Sequence, residues 1–273
     1  AKSSGSGKAE DPKGGKKDGK KDGKKPAKDS KDGKKSTSKQ QVYDYRPSGS
    51  ADVFAQFAPY EERFVTLDDA EVQLALQALQ KKDPTTRLRN VAELHQLLST
   101  RPKSLLSDVC GPFLHTYLRL WPQDSEPGVR EGLQRCLQVL VESLQRDFAK
   151  HLRSAFPTWL CAMFDTYTEV AQAARTAFAA AFASDEKRRN VFRHSLKECL
   201  ELLTFYLRHN EQSLHEELGI TRTKDKDLSL ERQDRYARVL AASLSALGEL
   251  VPLREKGSVA ERVERRRGRL DQG

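Results

Sequence analysis

The stretch SEPGVREGLQRCLQVLVESLQRDFAKHL, residues 125–152, decides the fold. Its Leu133, Leu137, Leu140, Val141, Leu144 and Phe148 recur at intervals of three and four residues, so they form one apolar stripe of an amphipathic helix. Ser125 is a helix-capping residue type and Pro127 suits a first turn, and the spacing therefore predicts a helix from Ser125 to about Leu152.

The same period extends outward on both sides. Upstream, Asp68 with Glu71 three residues later opens a helix to about Lys82, and Asp83 with Pro84 behind it opens a second to about Leu98. A third covers residues 105–120, with a kink expected at Pro112. Downstream come a short helix over residues 155–164 and a helix to about Ala183 opened by a Thr166/Glu169 capping box. One capped by Ser184 follows, carrying Phe192, Leu196, Leu200, Leu203 and Leu207. Gly219 ends the next turn, and residues 221–227 form a polar connection. The last helix, from Ser229, places Tyr236, Leu240, Leu244, Leu247 and Val251 on one face and stops at Pro252. Strand-like alternation never lasts more than a few residues. Antiparallel helices joined by short turns predict an all-α fold, a HEAT/armadillo-like helical-repeat solenoid built from units of roughly 35–45 residues.

Charge is segregated along the 273 residues, whose net charge is +9. Residues 1–40 hold 14 Lys against 6 acidic residues, with the near-repeat KKDGKKDG at 16–23 and no aromatic residue. Such a composition cannot offset the entropy of ordering, so a disordered Lys-rich tail is expected there. It contains Gly14-x4-Gly19-Lys20, the outline of a phosphate-binding loop. Lys21 stands where Ser or Thr would hold magnesium, and no strand precedes it, so the motif is rejected. Residues 41–66 differ again. Tyr43, Tyr45, Phe54, Phe57, Tyr60 and Phe64 supply 6 of the chain's 20 aromatic residues, broken by Pro47, Gly49 and Pro59, which reads as an irregular arm. The domain plan is thus a tail at 1–40, an aromatic arm at 41–66, a helical-repeat domain at 67–253 and a charged terminal segment at 254–273. The repeat region is close to neutral, which argues against a folded body built as a nucleic-acid saddle.

Cys110, Cys136, Cys161 and Cys199 stand far apart with no C-x-x-C pair, so no metal site and no cofactor is expected in this chain, and the thiols are expected to be buried and reduced. The longest uncharged apolar run, residues 239–248, is about half the length of a membrane span. A cytosolic (cytoplasmic) monomer with no membrane partner is the expectation. The six His residues fall on separate helices without an activated Ser or Cys beside them, so no catalytic residue is expected.

Two stretches carry more than periodicity: LQKKDPTTRLR at residues 79–89, and FDTYT at 164–168 with AARTAFAAAF at 173–182. With Val129-Arg130-Glu131 and the region 156–159 between them, they resemble the N-terminal domain of listerin. The likeness runs from about residue 50 to 251. That family comprises large ubiquitin ligases of ribosome-associated quality control, in which an N-terminal helical domain leads into a long HEAT-like solenoid and a C-terminal RWD and RING pair. The resemblance implies a protein that attaches to a 60S ribosomal subunit carrying an obstructed nascent chain, together with quality-control factors, and directs ubiquitin onto that chain. It also implies that recruitment of the E2 enzyme, and the zinc of the RING, lie outside these residues, leaving a non-catalytic docking part.

Candidate contacts with the ribosome follow from the first motif. Lys81, Lys82, Arg87 and Arg89 flank a helix corner, and the N–H groups of Thr85 and Thr86 at the start of the next helix suit an anion. Tyr43, Tyr45, Phe54 and Phe57 are candidates for anchoring a partner. Asp83, Pro84, Asp165, Thr166, Tyr167 and Arg175 read as architecture: Thr166 as a cap, Asp165 beside the positive helix end, and Arg175 paired with Asp165 or Glu169. An unrelated HEAT-type adaptor, and a Lys-tailed nucleic-acid protein, are the alternatives.

Overall fold

A computed structural model describes the backbone of residues 67–220 and 226–270, and the side chains of 67–220 and 229–251. The expected tail at 1–40 and the aromatic arm at 41–66 lie outside the described residues. So do Tyr43, Tyr45, Phe54 and Phe57.

The described chain is all-α: α1 (Ala70–Ala78), α2 (Pro84–Thr100), α3 (Lys103–Gln123), α4 (Pro127–Leu144), a 3₁₀ turn (Gln145–Phe148), α5 (Ala149–Ala162), α6 (Thr168–Ala181), α7 (Asp185–His194), α8 (Leu196–Arg208), α9 (Glu211–Glu217) and α10 (Lys226–Leu270). The pairs α1/α2, α3/α4 and α5/α6 stack as a helical-repeat solenoid. One layer is α2, α4 and α6 in order, with α4 packed between the other two; the second is α1, α3 and α5. Helix α8 packs on α5, and α10 runs back across α3, α5 and α8. The core lies between these layers, where Phe113, Tyr117, Trp121, Phe156 and Trp159 are fully buried. The indole N–H of Trp159 is satisfied by the Ala174 carbonyl of α6 at 3.0 Å.

Small residues set the spacing of the α2–α4–α6 layer. A methyl group added at Gly132 would stand 2.6 Å from Cγ1 and 2.8 Å from Cγ2 of Val91, and one added at Gly128 would stand 2.7 Å from Cδ1 of Leu88. On the opposite side, α6 buries Ala171, Ala174 and Ala177.

Several boundaries differ from the sequence-based expectation, each for a local reason. Asp69 rather than Asp68 caps α1, accepting from the N–H groups of Glu71 at 3.0 Å and Val72 at 3.1 Å, and α1 ends at Ala78. Helix α3 continues through Pro112 and Pro122. The helix expected over 125–152 is capped by Glu126 and ends at Leu144. Gln145 then takes a positive φ of 49°, and α5 restarts at Ala149 and runs through Pro157. Leu144, Phe148 and Leu152 keep their four-residue spacing across this reversal and all pack on the core, so the apolar period could not reveal it. In α10 the helix starts at Lys226 and passes through Pro252. The face it buries is that of Val239, Ala242, Ala246 and Leu250; Leu244 and Val251 remain exposed. At Gly219 the expected stop is a Schellman turn, with φ 68° and the Ile220 N–H donating to the His215 carbonyl at 2.8 Å.

Gly132 and Gly248 make a matched test of close packing. Gly248 is also helical, but a methyl group there meets nothing within 4 Å. Gly248→Ala should stabilise the fold by about 0.5–1 kcal/mol through helix propensity. Gly132→Ala gains the same propensity but overpacks a β-branched neighbour at a cost of about 1–3 kcal/mol, so it should lower the urea midpoint that Gly248→Ala raises.

Candidate functional site

Three helix corners lie along one edge of the solenoid, and arginines join them. Arg87 on α2 reaches Asp124, at the end of α3, through Nε at 2.6 Å and Nη2 at 2.9 Å. Its Nη1 donates to the carbonyls of Lys81 at 2.9 Å and Lys82 at 2.6 Å. Arg130 on α4 is fully buried. It donates to the carbonyls of Asp124 at 2.9 Å and Ser125 at 3.0 Å, and holds Asp165, between α5 and α6, through Nε at 3.0 Å and Nη2 at 3.2 Å. Arg238 on α10 completes the set. It lies 3.5 Å from Asp165 and donates to the carbonyls of Trp121 and Pro122, each at 3.1 Å, and of Asp124 at 3.3 Å.

Helix chemistry explains the arrangement. The last carbonyls of α3 have no partner within their own helix and carry the negative end of its dipole, and two guanidinium groups satisfy both demands. The planar fork of arginine matches a carboxylate in bidentate fashion, which favours Arg over Lys at Arg87 and Arg130. Aromatic faces cover the charges: the Arg130 guanidinium is 5.2 Å from the centre of the Tyr167 ring, and that of Arg238 is 5.2 Å from Trp121. Burial pushes the Arg238 guanidinium down to about 9, helped by the nearby Arg130, while Asp165 opposes the shift.

The predicted residues divide between this internal stitching and the exposed rim. Lys81, Lys82 and Arg89 are exposed, as are Leu88 and Tyr167. Asp83 caps α2 with Pro84 in its first turn, as expected. Arg87, expected to face a partner, is instead committed to Asp124 and two carbonyls. The anion cradle expected at Thr85 and Thr86 is occupied by the chain itself, because Asp83 accepts from the Thr86 N–H at 2.8 Å and from its hydroxyl. The Thr86 hydroxyl, and then its N–H, hold the Asp83 carboxyl below its ordinary range. Thr166 does not cap α6: Tyr167 is the N-cap without a side-chain bond, and Asp165 accepts the Tyr167 N–H at 3.1 Å. Arg175 does not pair with Asp165, which two other arginines hold; its guanidinium lies 5.6 Å from the centre of the Phe164 ring.

Asp124, Arg235 and Arg238 were missed as a group. The signal was available in α10, where both arginines lie on the stripe of Val239, Ala242 and Ala246, but a search for large apolar residues favours the neighbouring Leu face. All four Cys are buried free thiols, with Cys110 and Cys161 pushed up to about 12, mainly by burial. Among the described residues, no group of three or more His, Cys, Asp or Glu converges as a metal-binding set, and no helix is long and apolar enough to cross a membrane.

Stacked helix pairs locked at their corners by arginines define an all-α helical-repeat domain. The chain belongs to the listerin family: residues 67–268 match the N-terminal domain of the E3 ubiquitin-protein ligase listerin. It is 31% identical to the Drosophila melanogaster listerin over 196 residues, covering 71% of this chain and 11% of that protein. It is 28% identical to the Gallus gallus listerin over 206 residues (74% of this chain, 11% of that protein) and 28% identical to the Mus musculus listerin over 210 residues (73% and 11%). The chain thus aligns with about a ninth of the length of these relatives.

Two consequences can be measured. Asp165→Asn leaves both Arg130 and Arg238 buried beside a neutral group, and should cost about 3–5 kcal/mol in urea unfolding. Arg130→Met leaves Asp165 its second arginine, so it should cost less. His215 is fully buried. Burial, and then Arg235, push it down to about 4 from an ordinary 6.5, and only the Glu211 carbonyl favours the proton. The unfolded chain therefore takes up a proton that the folded chain refuses between about pH 6.5 and 4, and stability falls as pH drops through that window. His95, also lowered by burial and by Arg135, acts in the same direction. His215→Leu should flatten the slope of stability against pH between 6.5 and 4 without abolishing it.

Proposed function

We propose that this chain is the 60S-docking part of a listerin-type RING E3 ubiquitin ligase, which ubiquitinates nascent chains stalled on 60S subunits in ribosome-associated quality control in the cytosol. The E2-binding RING and its zinc belong to other parts of the full-length protein, and the contribution of this domain is attachment. The observation that carries this reading is the division of labour along the edge. Arg87, Arg130 and Arg238 are consumed in fixing the corners, whereas Lys81, Lys82 and Arg89 are exposed, as are Tyr167 and Leu88.

Exposed lysines held at fixed spacing meet phosphate oxygens as point charges, and an exposed aromatic ring supplies a flat face for a base or an apolar side chain. Asp83, already occupied by Thr86, is not required to bind anything; it sets the direction in which α2 leaves the corner.

The test is co-sedimentation of the full chain, and of residues 41–273, with purified 60S subunits, 80S ribosomes and 60S–peptidyl-tRNA complexes at physiological salt. Both forms should pellet with 60S. The triple substitution Lys81→Ala, Lys82→Ala, Arg89→Ala should weaken pelleting at least tenfold while leaving the melting temperature unchanged, and should flatten its salt dependence. Arg87→Ala should behave differently and lower the melting temperature, since Arg87 is internal. Undiminished pelleting of the triple variant, or binding that disappears with residues 1–40, would remove the edge as the docking surface.

A further inference from the structure

Around the start of α10 the charges do not balance. Arg235 is 8% exposed; its Nη2 donates to the Ser125 hydroxyl at 2.7 Å and to Glu231 at 2.8 Å. Its Nε and Nη1 are buried with no acceptor, and so is Nε of the neighbouring Arg232. Buried guanidinium N–H groups without acceptors are costly, and arginine cannot escape by losing its proton as lysine can. The nearby carboxylates are already engaged. Asp124 is held by Arg87, Asp165 by Arg130 and Arg238, and Glu126 turns to the first turn of α4, where it accepts the Gly128 N–H at 3.3 Å. Glu231 alone is shared with Arg235, and its side chain is 40% exposed.

The cluster has five guanidinium groups, on Arg87, Arg130, Arg232, Arg235 and Arg238, against the carboxylates of Asp124, Glu126, Asp165 and Glu231, a surplus of one positive charge. We propose that Arg232 and Arg235 form a binding site for a phosphate group, whose oxygens accept the orphaned Nε and Nη1 hydrogens. The surplus of positive charge sets the sign of the ligand, which is an anion. The form follows from the donors, because three nitrogens on two planar forks, carrying four N–H hydrogens, suit a tetrahedral group of several oxygens better than a spherical halide. Glu231 is the partly exposed acid beside the site; it accepts from Arg235 and from the Ser125 hydroxyl, and its negative charge opposes an incoming anion.

Neighbouring groups register the same surplus. Burial lowers the proton affinity of Arg235 first, Glu231 and Asp124 oppose this, and Arg232 and Arg87 add to it. His215, packed nearby, is kept neutral by burial and then by Arg235 and Arg232, so it adds no further positive charge at neutral pH. The site is separate from the exposed rim of Lys81, Lys82 and Arg89 and does not depend on docking to a ribosome.

The experiment is thermal unfolding of the full chain in increasing inorganic phosphate, against sodium chloride at matched ionic strength. Phosphate also stabilises folded proteins by exclusion from their surface, so the readout is the saturating part of the response that the arginine substitutions remove. Phosphate should raise the midpoint along a saturating curve, and chloride should not. Arg235→Gln and, at a more exposed position, Arg232→Gln should each weaken the apparent Kd at least tenfold. Glu231→Gln, which removes the competing carboxylate, should tighten it. An equal response to chloride, or a phosphate response that survives both arginine substitutions, would overturn the proposal.

Discussion

The structure depends on one buried carboxylate. Asp165 lies where the chain passes from α5 to α6, is shielded from solvent, and is gripped in bidentate fashion by Arg130 from α4 while Arg238 approaches from α10. Four helices thus meet at a single negative charge. Desolvating such a group costs several kcal/mol, and attraction offsets this only when the geometry is good and the remaining hydrogen bonds are made. Both conditions hold here, because the spare N–H groups of both arginines fall on the unpaired carbonyls that end α3. The end of one helix therefore provides the acceptors that let two buried arginines serve the next corner.

This coupling makes the repeats cooperative. Helix pairs of a solenoid usually touch only their immediate neighbours, so each interface contributes on its own. Here Arg87 ties the first corner to the second and Arg130 the second to the third, while Arg238 binds the second and third to a helix far along the chain. Close approach of α2 to α4, permitted by Gly128 and Gly132, lets Leu88 and Val91 pack directly against the backbone of α4. Apolar packing sets the distance between helices, and the ion pairs set the register of their ends.

Much of this was legible in the sequence, and what was not has identifiable causes. Caps at Asp83 and Ser184 were readable because a short polar side chain before a helical run has one dominant use. The break at Gln145 was hidden because the apolar period passes through it unchanged. In α10, Leu240, Leu244, Leu247 and Val251 form the more hydrophobic stripe, yet the helix buries the neighbouring one with Arg235, Arg238, Val239, Ala242 and Ala246. Periodicity counts apolar area, whereas the fold placed small residues where helices come close and arginines where carbonyls needed donors. Within the candidate site, Lys81 and Lys82 are exposed at the helix corner. Arg87 was misassigned because its partner, Asp124, lies 37 residues away and nothing local marks the pair.

The choice between Arg and Lys along the edge follows from the same physics. Inside, where a donor must satisfy a carboxylate and one or two carbonyls at once, the chain uses arginine, whose fork is rigid and whose charge survives desolvation. At the rim, Lys81 and Lys82 offer their own carbonyls to Arg87 and send their ammonium groups outward. The backbone of those two residues is thus fixed by the group that stitches the corner, while their side chains are exposed. The backbone beneath the exposed corner is therefore set by Arg87, which holds Asp124 and both carbonyls at once, whatever the rotamers of the lysines above it.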